Sequence, residues 1–458
     1  MSPQTALRGV RQRVTPPQAL VFSFAALIGL GTLTLMLPCM TGPAGLDWVD
    51  AFFTATSAVC VTGLVVRDTG TAFALPGQVA ILVLIQLGGL GIMTFSVFFY
   101  RLAGREISLR DELAVRESLT NLPTQNTVGL VRSVVLLTLA IEGLGALFLF
   151  SFWVQDHTAL RAASLAVFHA VSAFCNAGFS PWPDSLARYE THLGVNFVFI
   201  ALIVAGGLGF VVLRELGRLR PKTPRLRLSL HAKVVCWTTL ILVISGMLIF
   251  LVMEWDNVLG GLGFKDKVVV SLFQAITPRT AGFNTVDFAH LTNTSLLATI
   301  FFMFIGGSPG STAGGIKTVT LALIIALALS RYRGFSKVNL FRRSISGETV
   351  TRGLTITLLA ISVIGLALGL LLTTETIHLD HPQTRDTFIE LLFETVSAFG
   401  TVGLSMGATP DLTAWGKLII ILTMFLGRVG PLTAAMALMT RARKDRTYNF
   451  GREEVMVG

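Results

Sequence analysis

The chain has 458 residues, of which 52% are hydrophobic and only 14% are charged. A soluble protein of this length needs a larger charged surface, so the composition excludes an ordinary soluble enzyme and indicates that a bilayer surrounds the chain. The formal net charge is +10, but no nucleic-acid-binding motif accompanies it. Membrane lipid or a partner surface therefore explains this charge better than nucleic acid does.

Eight apolar runs are long enough to cross a bilayer. In chain order they cover residues 14–46, 69–100, 133–155, 191–213, 234–253, 290–330, 353–374 and 418–440. Three of them carry a single charge each, at Glu142, Lys317 and Arg428. Because seven spans follow the first run and no clear small-residue cleavage site is present, we interpret that run as a retained helix rather than a signal peptide.

Charge sorts the connecting segments into two sets. One set holds 25 Lys/Arg against 9 Asp/Glu and comprises residues 1–17, 101–126, 214–233, 331–352 and 441–458. The other set holds 8 Lys/Arg against 16 Asp/Glu and comprises residues 42–78, 154–192, 254–292 and 375–417. By the positive-inside rule the first set, including both termini, is cytoplasmic.

Each external segment contains a stretch of about a dozen apolar residues, which is too short to span and is interpreted as a re-entrant helix. The four stretches repeat one pattern: FTATSAVCVTGL at 53–64, FHAVSAFCNAGF at 168–179, FQAITPRTAGF at 273–283 and FETVSAFGTVGL at 393–404. Every copy has a Phe, a Ser or Thr four residues later and a Gly near its end. The third copy is one residue shorter between Phe and Gly.

The helix after each stretch repeats as well, as QLGGLGIMTF, VAGGLGFVVL, FIGGSPGSTA and FLGRVGPLTA. The sequence therefore predicts an all-α polytopic membrane protein with four pseudo-symmetric helix–pore loop–helix units around a central ion pore. Its expected parts are an N-terminal cytoplasmic segment, four units of which the third has a broken second helix, and a cytoplasmic tail. Their bounds are 1–17, 18–126, 127–230, 231–345, 346–440 and 441–458.

Four equivalent loops around an axis can place backbone carbonyls in a ring that replaces the hydration shell of a monovalent cation. Glycine is needed there because aiming carbonyls at an axis requires backbone angles closed to other residues. Ordinary helix-end glycines are the alternative. The candidate filter residues are Val61, Thr62, Gly63, Asn176, Ala177, Gly178, Thr280, Ala281, Gly282, Thr401, Val402 and Gly403.

Other polar and charged residues near these loops are candidates for supporting roles in the pore. The repeated hydroxyls of Ser57, Ser172, Thr277 and Ser397 either support the pore or bond within their own short helices. For His169 and Glu394, local hydrogen bonding is favoured over ion coordination. Arg279 is expected to brace the filter from behind. Carboxylates that follow the glycines could concentrate cations at the outer mouth; they are Asp68, Asp184, Asp287 and Asp411.

The stretch GGSPGSTAGGIKT at 306–318 differs from a phosphate-binding loop by one inserted residue, Ile316. An apolar helix rather than a strand precedes it, so we reject nucleotide binding here. Its glycines and Pro309 indicate a broken helix that crosses the pore below the filter, with plain small-residue packing as the alternative. The candidate gate residues are Gly306, Gly307, Ser308, Pro309, Gly310, Ser311, Thr312, Ala313, Gly314, Gly315 and Arg428.

Arg428 is a charge at membrane depth, which is by default a functional-site hypothesis. It occupies the position of Gly89, Gly207 and Gly307 in the other units. We therefore expect it to face the axis below the filter and to meet carbonyls of the 306–315 loop. The alternative is a structural pair with Glu142 or with a loop carbonyl away from the pore. Glu142 itself either takes part in a cation route or makes a buried hydrogen bond.

The chain resembles the superfamily of Trk, Ktr and HKT K⁺ transporters through TPRTAGFNT at 277–285, GGSPGSTAGGIKT at 306–318 and TPPQ at 15–18. No extra helix pair precedes the first unit, which favours the Ktr membrane subunit over the Trk branch. The resemblance implies K⁺ bound at the filter carbonyls and gating by residues 306–315 and by a cytoplasmic partner. It also implies a homodimer in the bacterial inner membrane on a ring of RCK-type nucleotide-binding subunits, with Na⁺ as an activator.

Transport of this kind involves no covalent chemistry, so we expect neither an enzyme nor a tightly bound cofactor. Two rival functions stay open. One is a Na⁺-selective or poorly selective transporter of the same fold. The other is an intramembrane enzyme or ATPase, for which the sequence offers no Asp/Glu/His constellation.

Overall fold

The structure is a computed structural model that describes residues 16–42, 45–91, 127–218, 228–377, 380, 384 and 386–438. The expected N-terminal segment up to residue 15, the basic segment 101–126 and the tail 441–458 lie outside the described residues. The described chain is mostly helical, as predicted, with one two-stranded hairpin.

The first two units share one order of elements. The first unit consists of α1 Pro16–Leu35, α2 Trp48–Val59, α3 Thr69–Ala72 and α4 Leu75–Leu90. The second consists of α5 Thr127–Trp153, α6 Ala159–Cys175, a 3-10 turn Ala187–Tyr189, α7 Leu193–Leu208 and α8 Phe210–Arg218. In both, a long helix precedes a short buried re-entrant helix, and an apolar inner helix follows.

The other two units repeat this order. The third consists of α9 Leu230–Met253, α10 Phe264–Ile276, a 3-10 turn Phe288–His290, α11 Asn293–Phe304, α12 Thr318–Tyr332 and the strands β1 Asn339–Leu340 and β2 Arg343–Ser344. The fourth consists of α13 Gly347–Thr376, α14 Thr387–Gly400, α15 Ala414–Val429 and α16 Pro431–Leu438. The strands pair antiparallel at the cytoplasmic side predicted from charge.

Within the described residues, four helices are long and apolar enough to cross a membrane, and they open the four units. Two further spans result if two pairs of consecutive helices are each counted as one bent span. These pairs are α7 with α8, bent by 108°, and α15 with α16, bent by 94°. The sequence predicted a broken second helix in the third unit, where α11 and α12 are separate helices, but it gave no prediction of the breaks in the second and fourth units. Gly209 and Gly430 stand at the two breaks with φ of 88°, which ends a helix without steric cost in glycine alone.

The inner helices pack directly on the ends of the re-entrant helices. A Cβ on Gly88, Gly206 or Gly427 would overlap the carbonyl oxygen of Val59, Phe174 or Phe399, respectively. These glycines hold the same position in the repeat, as do the three carbonyl residues. Small residues therefore let two backbones meet at the centre of the molecule in three units.

One buried ion pair joins the last unit to the first. Asp50 on α2 is 3% exposed, and its carboxylate accepts from Lys417 Nζ on α15 at 2.8 Å and from Arg67 Nε at 2.9 Å. Residues 50 and 417 lie at opposite ends of the sequence. Their pairing closes the four units into a ring around one axis.

Candidate functional site

The backbone after each re-entrant helix turns into the left-handed region at two positions. Three side chains of the first set are β-branched and one is Asn: Val61, Asn176, Thr280 and Thr401, with φ of 57°, 59°, 73° and 50°. The second set is glycine in every unit: Gly63, Gly178, Gly282 and Gly403, with φ of 96°, 69°, 75° and 90°. A β-branched residue with positive φ is rare and costly, so its recurrence indicates a conformation that the surrounding structure imposes.

The four glycines touch one another in a closed circle, which we call the glycine ring (Gly63, Gly178, Gly282 and Gly403 with the residue before each). A Cβ on Gly178 would lie 2.8 Å from Gly282 Cα and 3.1 Å from Ala281 O. A Cβ on Gly63, Gly282 or Gly403 would overlap the carbonyl oxygen of Ala177, Val402 or Thr62. Each unit thus meets the next, and the fourth meets the first.

The repeated hydroxyls hold the backbone of this ring. Ser57 Oγ accepts from the N–H of Gly63 at 3.0 Å, and Ser397 Oγ accepts from that of Gly403 at 3.1 Å. In the other two units the hydroxyl donates instead: Ser172 to Phe179 O at 2.8 Å and Thr277 to Phe283 O. Of the two interpretations, the bonds therefore favour support of the loops over bonding within the short helices.

In the second, third and fourth units, the residue after the first Phe of the repeat bonds to the chain beyond the ring. His169 Nε2 lies 3.1 Å from Ser180 Oγ, and Gln274 Nε2 donates to Thr285 Oγ1 at 3.0 Å. Glu394 accepts from Thr409 Oγ1 at 2.6 Å and from Met406 N at 3.1 Å. The preference for local hydrogen bonding at His169 and Glu394 agrees with these contacts. Arg279 is buried behind the loop of the third unit, 3.5 Å from Thr239 Oγ1.

Three hydroxyls next to the ring are buried and have no protein partner within the described residues: those of Thr62, Thr280 and Thr401. All three side chains are 0% exposed. A buried hydroxyl without a partner costs free energy, so its presence in three units makes this segment a candidate binding site.

Above the ring, a cavity of about 560 Å³ is lined by all four glycines. Asp68, Asp184 and Asp287 line it too, whereas Asp411 does not. Asp184 bonds to Arg188 at 3.0 and 2.5 Å, and this guanidinium lowers the pKa of the carboxyl. Asp68 and Asp287 cap short helical turns. Carboxylates therefore line the cavity at three of the four expected positions, and one of them is paired with an arginine.

Below the ring, α11 and α12 are separated by residues 305–317, which we call the crossing loop. Ser308 N donates to Gly207 O at 3.0 Å in the second unit. A Cβ on Gly314 would overlap the Thr401 hydroxyl in the fourth unit. Lys317 Nζ donates to Ala313 O at 2.6 Å and to Gly314 O at 3.3 Å, which fastens the loop to the start of α12. The loop thus packs beneath the ring against neighbouring units.

Arg428 joins this loop to two units. Its guanidinium donates to Thr312 O in the crossing loop and to Gly88 O at the end of α4, the latter at 2.6 Å. Glu142 is not its partner: that carboxylate accepts from Gln86 Nε2 at 3.2 Å and from Cys175 Sγ at 3.8 Å. The expected contact of Arg428 with the loop is therefore present at one carbonyl, Thr312 O, and the alternative pair with Glu142 is absent. The other alternative, a structural bond to a loop carbonyl away from the pore, stays open.

Comparison with known proteins agrees with this architecture. The family model TrkH, described as a cation transport protein, matches residues 11–447. Ktr system potassium uptake protein B of Bacillus subtilis (strain 168) is 41% identical over 449 residues, which cover 97% of each chain. Potassium/sodium uptake protein NtpJ of Enterococcus hirae is 37% identical over 454 residues, which cover 98% of each chain.

A solved structure shares the fold. The crystal structure of the potassium transporter TrkH from Vibrio parahaemolyticus matches with a TM-score of 0.72 at 18% identity, covering 92% of this chain and 83% of that one. The predicted resemblance to the Trk and Ktr proteins is confirmed. The chain is a multi-pass membrane protein and belongs to the TrkH family of cation transport proteins.

Proposed function

We propose that this protein takes up K⁺ through the axis of the glycine ring. The observation that carries the proposal is the closed circle of four glycines, each against the carbonyl-bearing backbone of the next unit. Such a circle offers carbonyl oxygens from four sides, which is the arrangement that replaces the hydration shell of a monovalent cation. The names of the relatives, potassium and potassium/sodium uptake proteins, support the same substrate class.

The chemistry of the ring favours a monovalent ion over a divalent one. None of the twelve candidate filter residues carries a carboxylate. Mg²⁺ and Ca²⁺ are usually held by carboxylates, whereas neutral carbonyls bind K⁺ strongly enough to admit it and weakly enough to release it. The C-terminal ends of α2, α6 and α14 directly precede the ring, and their partial negative charge adds to the attraction for a cation.

The crossing loop is the proposed gate. It packs below the ring and is held by Arg428, so an ion leaving the ring meets both a backbone segment and a positive charge. For conduction the loop has to move away from the axis. A cytoplasmic ring of RCK-type nucleotide-binding subunits is the proposed source of this movement. A homodimer with both termini in the cytoplasm of a bacterial cell is the proposed assembly, and the basic charge of the terminal segments supports the placement of the termini.

Na⁺ transport or activation is a second candidate. The name of the NtpJ relative includes sodium. In addition, the residues before the four glycines differ from one another (Thr62, Ala177, Ala281 and Val402). Fewer identical carbonyl layers leave less discrimination between K⁺ and Na⁺. An intramembrane ATPase is disfavoured because the named relatives are transporters.

Ion flux into liposomes tests the proposal. The purified full chain, with and without its cytoplasmic subunits, should show saturable K⁺ influx that exceeds Na⁺ influx under the same gradient. Equal K⁺ and Na⁺ fluxes would favour the second candidate. Flux no greater than in empty liposomes, both with the subunits and after shortening of residues 306–315, would reject the transport function.

A further inference from the structure

Thr312 occupies the middle of the crossing loop, and each of its polar groups bonds to another unit. Its N–H donates to Gly206 O at 3.4 Å, and its hydroxyl donates to Phe174 O at 3.2 Å. Its carbonyl accepts from Arg428. The side chain is 0% exposed. Any movement of the loop away from the axis therefore breaks bonds to the second and fourth units together.

Asn176 connects Thr312 to the glycine ring. The Nδ2 atom of Asn176 lies 3.0 Å from Thr312 Oγ1, and the side chain is 1% exposed. If the amide is turned over, Asn176 Oδ1 accepts from the Thr312 hydroxyl at 3.0 Å, in place of Phe174 O, and also accepts from the N–H of Gly207 at 3.2 Å. Either orientation of the amide therefore keeps the bond between the ring segment and the loop.

Asn176 lies two residues before Gly178, so its contact with Thr312 acts next to the glycine ring. Asn176 is the left-handed residue of the second unit, with φ of 59°, and only Ala177 separates it from Gly178. The Ala177 carbonyl lies against Gly63 of the first unit, and Gly178 lies against Gly282 of the third. A shift of the Asn176 peptide therefore reaches the ring at two points.

The equivalent residues of the other units have no such bond. Val61 has an apolar side chain, and the hydroxyls of Thr280 and Thr401 have no partner within the described residues. Asn176 is thus distinguished by its contact and not only by a backbone conformation that Asn tolerates.

We propose that the Asn176–Thr312 contact couples cation occupancy of the glycine ring to the position of the crossing loop. A docked loop holds Asn176 and keeps the ring in its K⁺-binding shape, and K⁺ in the ring in turn holds the loop. Linkage requires that the two effects be equal in size. The inference rests on the proposed roles of the ring and the loop, and it makes both residues positioning residues of the transport path.

Hydrogen–deuterium exchange of the loop reads this coupling without measuring transport. In the purified full chain, exchange of peptides covering residues 306–315 should be slower in K⁺ than in choline. Asn176→Gly removes the amide yet keeps a residue suited to positive φ. Thr312→Val removes the hydroxyl at nearly constant volume. Each variant should reduce the K⁺ effect about three- to tenfold, the factor one neutral hydrogen bond supports.

Matched variants test whether loss of the Asn176–Thr312 contact is the cause of the reduced K⁺ effect on exchange. The double variant should lose no more than Thr312→Val alone, because that variant removes the shared contact with Asn176 together with the bond to Phe174 O. Thr312→Ser keeps the hydroxyl and should behave as the parent. Thr299→Val removes a buried hydroxyl of the same unit whose bond, to Ser295 O at 2.7 Å, stays within α11, and it should leave the K⁺ effect unchanged.

Three results would overturn the coupling: additive losses in the double variant, a Thr312→Ser variant that behaves like Thr312→Val, or K⁺-independent exchange in a parent protein that transports K⁺. If Asn176→Gly does not fold, the comparison of the Val and Ser variants at 312 decides alone. Absence of K⁺ flux in the parent protein would instead reject the proposed function, so the two failures are distinguishable.

Discussion

Replacing Gly178 by Ala perturbs the glycine ring by one methyl group. The added Cβ would lie 2.8 Å from Gly282 Cα, about 0.6 Å short of the 3.4 Å at which ordinary van der Waals contact begins. Gly178 also has φ of 69°, a conformation that costs an L-residue roughly 1–2 kcal/mol. Relief of either cost has to widen or tilt the ring, because the neighbouring atoms are backbone.

If the roughly 1–2 kcal/mol cost of the Gly178→Ala change weakens ion binding, the half-saturating K⁺ concentration should rise about five- to thirtyfold. Discrimination against Na⁺ should fall as well. The assay is K⁺ and Na⁺ influx into liposomes containing the purified variant. Gly369→Ala is the matched control, since a Cβ there has nothing within 4 Å. A folded Gly178→Ala protein with the half-saturation and K⁺/Na⁺ ratio of the parent would refute the assignment of the ring as the filter.

Three further perturbations test the parts around the ring. Deleting part of residues 306–315 should raise K⁺ influx, measured in a K⁺-transport-deficient host; a deletion no faster than the parent contradicts the gate. Arg428→Gln removes the positive charge beside Thr312 O and Gly88 O and should raise influx several-fold, whereas unchanged flux and K⁺ affinity would make the arginine structural. Asp50→Asn leaves Lys417, whose side chain is 15% exposed, with a neutral partner and should lower the free energy of unfolding by about 1.5–3 kcal/mol, read by thermal unfolding in detergent; an unchanged midpoint contradicts its role in closing the ring.

The repeat made much of the architecture predictable. The four glycines and the serine or threonine four residues after each Phe were located from spacing alone, because rotational pseudo-symmetry forces equivalent backbone positions to use equivalent residues. The same alignment put Arg428 at a position otherwise held by glycine, and the structure places its guanidinium on a carbonyl of the crossing loop. The assignment of these residues to a filter and a gate stays a prediction.

Other features had weak or misleading signals. The breaks at Gly209 and Gly430 were missed because the apolar runs continue through them, although the last glycine of each GxxG pattern marks the place. The left-handed Val61 and Thr280 run against local preference, since β-branched residues rarely adopt positive φ and only the packing of four units imposes it.

Two other long-range polar contacts left no signal in the sequence. Asp50 and Lys417 are 367 residues apart in sequence, and Asn176 and Thr312 are 136 apart. Each pair joins two different units and forms only when those units pack together, so neither leaves a local pattern. Asp411 shows the opposite error: it follows its glycine as the other acidic residues do, but it does not line the outer cavity.

The central claim, that the glycine ring binds the transported ion, is tested most directly by locating a heavy K⁺ analogue. Crystals of the full chain grown in Rb⁺ or Tl⁺ should give an anomalous peak on the axis between the carbonyls of Thr62, Ala177, Ala281 and Val402. The peak should weaken in the Gly178→Ala variant. Anomalous density confined to other sites, with none on this axis, would contradict the account.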